Sequence, residues 1–123
     1  MPPVFHIKRA YEAPSETDGF RVLVDRLWPR GVSKDAAHIG EWAKDLAPSN
    51  ELREWFGHDP ERWTEFRHKY KTELEANPAV KAFIKEHAHR KAITLVYAAK
   101  DEIHNNAVAL TGYLENTWHN IPL

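Results

Sequence analysis

The chain has 123 residues, 42% of them hydrophobic, with five Trp, five Phe and four Tyr; that is enough apolar mass for one packed domain and unlike the composition of a disordered chain. Seventeen Lys and Arg against eighteen Asp and Glu leave a formal net charge of -1, so the molecule as a whole exerts no long-range pull on nucleic acid or acidic membranes, and any anion site has to be local. Cysteine is absent, which excludes disulfides, thiolate metal sites and cysteine nucleophiles and suits a cytoplasmic protein.

Neither a signal-length apolar run at the N-terminus nor a membrane-length one elsewhere interrupts the sequence, and the expectation is a soluble cytoplasmic chain, one domain over residues 1–123. Residues 4 to 10, "VFHIKRA", alternate apolar and polar as a half-buried strand does, and "YEAPSETDG" then supplies loop residues. Residues 20 to 25, "FRVLVD", make a second strand, almost wholly apolar after Arg21 and therefore expected to be buried on both faces, the habit of parallel sheets. Ser49 or Asn50 opens a short helix with Leu52, Trp55 and Phe56 inward and Gly57 at its end. Asp59-Pro60 and Asn77-Pro78 are two further helix starts, followed by the apolar stripes Trp63, Phe66, Tyr70, Leu74 and Val80, Phe83, Ile84. A third apolar strand, "AITLVYA" at 92 to 98, precedes a last helix that should begin near Asp101 and carry Ala107, Leu110, Leu114 and Trp118 on one face. The pattern predicts an α/β fold, a small, mostly parallel central sheet flanked by helices.

In such sheets ligands sit beyond the carboxyl ends of the strands. Two loops lead there. "DRLWPRGVSKD" carries Asp25, Arg26, Trp28 and Arg30, and "AAKDEIHN" carries Lys100, Asp101, His104 and Asn105. Arginine forks bind carboxylate or phosphate through paired hydrogen bonds, lysine adds a point charge, and a tryptophan face stacks on planar groups. Asp25 is the candidate general base or orienting carboxylate; it is expected within ion-pair reach of Arg26 or Arg30, which would hold it ionised. His104 is either a proton shuttle or a capping or packing residue at the start of the last helix. A third segment, "EWAKDLAPSNELREWFGHDPERW", offers Arg53, His58 and Arg62 as one wall of the same site, with His58 a further acid–base candidate, although its tryptophans also suit a core and its charges a solvated face. The loop "AAKDEIHN" is expected to be an anion-binding helix start, unless Asp101 itself caps the free N–H groups.

Eight histidines are present, but none has a recognised metal-ligand spacing, so no metal is expected; phosphate-loop, nucleophile-elbow and dinucleotide motifs are also missing, and no cofactor is implied.

The blocks "RVLVDRLWPRGVSK", "EWAKDLAPSNELREWFGHDPERW" and "TLVYAAKDEIHNNA" resemble, in order and over nearly the whole chain, the motifs of the YeaO-like branch of the domain-of-unknown-function 488 family. The resemblance implies a small single-domain α/β protein and prescribes no reaction. Other branches of that family carry a Cys and a Cys-His-Arg triplet in the third block, where this chain has Tyr97 and His104-Asn105. The preferred reading is a protein that binds, and on one version turns over, a small phosphate-, carboxylate- or nucleotide-like ligand at the carboxyl edge of the sheet. The alternative is a regulatory or interaction module for a protein partner or single-stranded nucleic acid.

Overall fold

A strand with apolar residues on both faces has to lie in the middle of a covered sheet, and the two most apolar runs of this chain do so. The computed structural model describes residues 2–120. Strands β1 (Val4–Arg9), β2 (Phe20–Leu23), β3 (Glu41–Trp42) and β4 (Ala92–Tyr97) form one sheet in the order β1-β4-β2-β3, each neighbouring pair parallel. Helices α1 (Lys34–Ala37), α2 (Asn50–Phe56), α3 (Trp63–Glu75), α4 (Pro78–Glu86) and α5 (Asn106–Thr117) complete the α/β fold. Among the described residues no helix is long and apolar enough to cross a membrane.

The period of two divides β2 and β4 between two cores. Val22, Val24, Ile93, Leu95 and Tyr97 join the large cluster built with the apolar stripes of α2 to α5, while Leu23 and Val96 face the other way, against Ala10, Trp28, Val32 and Ile39. The helix starts read from the sequence are capped as expected. Ser49 Oγ accepts from Leu52 N, Asn77 Oδ1 from Ala79 N, and Asp59 Oδ1 from Glu61 N in a 3-10 turn that leads into α3.

Two elements are additions to the sequence reading: α1 and the two-residue β3 are too short to carry a detectable period. The last helix is a correction. It begins at Asn106, capped by Asn105, and not near Asp101, because the Asp101 carboxylate takes the N–H groups of Ile103 and His104 and bends the chain into a turn first.

On the less covered face, Asp18 holds the sheet together. Its carboxylate accepts from Lys8 Nζ on β1 at 2.9 Å, from Arg21 Nη1 on β2 at 2.7 Å and from Ser15 N at 3.0 Å, while its carbonyl accepts from Thr94 Oγ1 on β4. Arg21 reaches on to Ala37 O, and its Nη2 has no partner among the described residues. Gly19 follows with φ +66°, and a Cβ there would lie 2.3 Å from Ala92 O, so only glycine lets the chain turn into β2 beside β4. Burial pushes the Asp18 carboxyl up, but the bonds from Lys8, Ser15 and Arg21 outweigh it and hold the group below its ordinary value.

Asp18→Ala leaves Arg21 buried without its counter-ion and should cost about 3–5 kcal/mol, against less than about 1 kcal/mol for Glu65→Ala, which removes an exposed ion pair to Lys69; urea midpoints check both. Because the folded pKa of Asp18 lies below the unfolded one, its contribution is complete above about pH 4 and is lost as the pH falls through the folded value, so wild type and Asp18→Ala should converge in acid. A gap that stays constant down to about pH 2 would contradict this assignment.

Candidate binding cleft at the carboxyl edge of the sheet

The β2–β4 register, Leu23 opposite Val96, carried two residues further sets Asp25 opposite Ala98. Asp25 Oδ2 accepts the Ala98 N–H at 2.9 Å, and Oδ1 accepts from Asn106 Nδ2 at 3.1 Å. Asn106 Nδ2 also donates to Val24 O at 3.0 Å. With its donor end fixed by two acceptors, the amide keeps its Oδ1 free of any bond among the described residues. The expected ion pair between Asp25 and Arg26 or Arg30 is absent among the described residues. Burial, the largest influence, raises the Asp25 carboxyl above its ordinary value despite the Asn106 and Ala98 hydrogen bonds and the more distant His58 and Arg53 charges. The expectation that arginines hold it low is thereby overturned.

Around Asp25 opens a cleft of about 720 Å³, within the size range of small-molecule sites. Its inner wall is apolar: Phe56 and Phe66, 5% and 2% exposed, with Ala47, Pro48 and Ala98. Trp28 lines it too, held by a bond from Nε1 to Val32 O and an edge-on contact with Trp42 at 5.5 Å. Of the residues expected at the site, Asp25, Arg26, Trp28, Arg30, Arg53, His58, Lys100, Asp101 and Asn105 all line this one cleft, so the three sequence blocks converge. Arg62 is not among them; its guanidinium bonds Trp55 O, lies over the Trp55 ring and sits 3.8 Å from Asp59. His104 is also outside the lining, bonded through Nδ1 to Asp101 at 2.9 Å and set edge-on to Trp63.

The cations divide into two groups. Arg26 is tied to Pro48 O and Ala47 O, and Arg9 behind the cleft to Ala99 O and Ala98 O. Arg30 and Lys100, both exposed, have no ion pair or side-chain hydrogen bond among the described residues, and Arg53 keeps only a 3.5 Å contact to Asn50. His58 joins this rim from a left-handed backbone, φ 58°, directly after Gly57 at φ 53°; two such residues in succession are costly for a non-glycine and turn the chain toward the cleft.

In the turn that precedes α5, Asp101 accepts from Ile103 N, His104 N and His104 Nδ1, bonds that hold its carboxyl down at about 2. Asn105, 2% exposed, gives Nδ2 to Asp101 O and accepts from Val108 N, which commits both ends of its amide. The sequence reading missed Asn106, Tyr11, Phe56 and Phe66. Asn106 stands next to the chosen Asn105, and only the helix phase distinguishes the cap from the residue that reaches Asp25.

Among the described residues one group with metal-ligand composition lies outside the cleft: His87 Nε2 is 2.9 Å from Glu41 Oε1 and 3.9 Å from Glu86 Oε2. Arg90 Nε, which can only donate, approaches His87 Nδ1 at 3.4 Å. Nδ1 is therefore the acceptor and Nε2 carries the proton given to Glu41, a tautomer with no lone pair for a metal at that position. The pair fastens β3 to the end of α4.

Comparison with known proteins places this geometry among relatives of undescribed activity. The profile of the family described as the inactive DUF488-N3 subclade matches residues 4–121. Uncharacterized proteins of Mycobacterium tuberculosis and Mycobacterium bovis are 43% identical over 108 residues, 88% of this chain and 91% of theirs. The uncharacterized protein YeaO of Escherichia coli is 37% identical over 109 residues, 89% of this chain and 95% of its own. No solved structure matches the chain.

The two cleft carboxyls should separate in an assigned NMR pH titration. Asp101 is expected at about 2 and Asp25 above the free-aspartate value of about 4. With its folded pKa raised, Asp25 costs the fold no stability below the unfolded value of about 4, and the cost of ionising it grows from there and is complete once the pH has risen through the folded value. A midpoint for Asp25 at or below about 4 would contradict the dominance of burial.

Proposed function

The chain belongs to the inactive DUF488-N3 subclade, and from that premise we propose that it binds a small ligand bearing a phosphate, carboxylate or nucleotide-like anionic group in the cleft at the carboxyl edge of the sheet, without turning it over. The observation that carries this reading is the set of uncommitted cations, Arg30, Arg53 and Lys100, on the rim of a cleft whose other arginine is fixed to carbonyl groups. An arginine without a counter-ion beside an aromatic wall suits a planar anion, which gains paired hydrogen bonds and stacking together. His58 adds a fourth donor when protonated.

Binding is favoured over catalysis by the family description and by the acid–base candidates themselves. His104 is bonded to Asp101 outside the cleft lining, and both Asp25 oxygens already accept bonds from the fold. The absence of cysteine supports a cytoplasmic setting.

Inorganic phosphate at ten times its Kd should stabilise the protein by about 1.4 kcal/mol, a rise in Tm of a few degrees. Arg53→Ala and Lys100→Ala should stay folded and each weaken the response about ten-fold in phosphate concentration, whereas Lys81→Ala, an exposed substitution on α4 away from the cleft, should respond as wild type does. Identical phosphate responses in all four proteins, or none in wild type with phosphate, phenyl phosphate and a nucleoside monophosphate, would overturn the reading.

A further inference from the structure

The anion accounts for the rim of the cleft but not for its interior. The exposed positions carry the cations Arg30, Arg53 and Lys100, with the His58 ring beside them. Among the less exposed polar residues of the lining, Arg26 is tied by Nε and Nη2 to Pro48 O and Ala47 O, and Asp101 and Asn105 are engaged in the turn and cap before α5; the two that remain, Asp25 and Asn106, present the opposite kind of group. Asn106 has given its Nδ2 to Val24 O and Asp25 Oδ1, so what it offers the cleft is its carbonyl oxygen. Asp25 accepts one bond on each oxygen and retains one lone pair on each. Neither oxygen is paired with a cation among the described residues. Apart from the carbonyl-bound Arg26, the polar surface around Asp25 is therefore made of acceptors, a carboxyl and an amide oxygen, framed by the apolar side chains of Phe56 and Phe66.

Acceptors at this depth repel the anionic group that the rim attracts, and they remain unsatisfied against an apolar ligand. We infer that the ligand is bipolar: an anionic tail on the rim cations and, at the other end, a head with N–H donors, amidine- or amine-like, seated on Asp25 and Asn106. This inference rests on the anion-binding reading and specifies the opposite end of the same ligand. A planar head matches two neighbouring acceptors between aromatic walls, and a cationic one supplies the counter-charge that Asp25 lacks. The burial that raises the Asp25 carboxyl is the same deficit viewed from its titration: a cationic head would favour the ionised form and displace the proton from Asp25 to solvent.

The test compares two planar carboxylates of nearly equal size, 4-amidinobenzoate, which has N–H donors at the far end, and 4-acetylbenzoate, which has only an acceptor there. Calorimetry on the wild-type chain should show 4-amidinobenzoate binding at least about ten-fold more tightly. At the midpoint of the Asp25 titration its apparent enthalpy should depend on the buffer's ionisation enthalpy, reporting released protons, and that of 4-acetylbenzoate should not. Asp25→Asn should reduce the preference to about two-fold or less. If that variant fails to fold, the proton release measured on wild type decides by itself. Equal affinities for the two compounds with no proton release would overturn the bipolar ligand and leave anion binding standing. If neither compound nor inorganic phosphate binds, the anion reading fails, and this inference with it.

Discussion

Asp25 sits where two parallel strands end together, and its carboxylate is the joint on which the carboxyl edge is built. One oxygen takes the N–H of Ala98, just past β4, and the other takes the side chain of Asn106, the first residue of α5. That places three consecutive decisions of the backbone under one group: how β2 ends, how β4 ends, and in what phase the last helix starts. The arrangement follows from register, since neighbouring parallel strands in step bring residues 25 and 98 level. It also explains why a carboxylate in this position is tolerated without a counter-ion. Hydrogen bonds from a backbone N–H and an amide satisfy it in place, although burial still penalises its charge.

The arginines show how little residue type alone says about a site. Arg9, Arg21 and Arg26 each direct guanidinium N–H groups at backbone carbonyls, those of Ala98 and Ala99, of Ala37, and of Ala47 and Pro48. They act as clamps on loop ends whose carbonyl groups have no sheet or helix partner, a need that recurs wherever short connections leave a parallel sheet. Arg30, Arg53 and Lys100 make no side-chain bond to a carbonyl group of the backbone among the described residues and remain available at the surface. The same division separates Asn105 from Asn106. One caps the helix with both ends of its amide engaged, and the other, one residue on, gives its donor end to Val24 O and Asp25 and keeps its oxygen unbonded among the described residues.

The second face of the sheet is organised differently from the first. Instead of a helix layer it has a buried Asp18 bridging Lys8 and Arg21, with a small apolar cluster of Ala10, Leu23 and Val96 beside it. A polar network under a thin cover needs every partner in place, because water cannot fully replace a missing one. The connection between β1 and β2 is short, residues 10 to 19, and that ion network lets so brief a segment hold two strands in step on either side of β4.

The sequence by itself determined the α/β class, one alternating and two apolar strands, the caps at Ser49, Asp59 and Asn77, and the convergence of three segments on one edge. Each of these rests on a local cause: a period of two, a side-chain oxygen before a helix, or the rule that parallel strands deliver their following loops to the same end. What only the tertiary structure decided were the partners of the charges. Asp25 and Arg26 are adjacent in the chain, so an ion pair between them is the natural inference, but β2 ends at Leu23 and the chain bends over residues 25–27, where the two side chains find separate partners. Arg26 therefore meets the carbonyls before α2 while Asp25 meets β4 and α5. The start of α5 belongs to the same class: Asp101 signals a helix as strongly as it signals a turn, and the phase is fixed by Asn105, which caps locally, and by Asn106, whose contacts Val24 and Asp25 lie just past β2, more than eighty residues away.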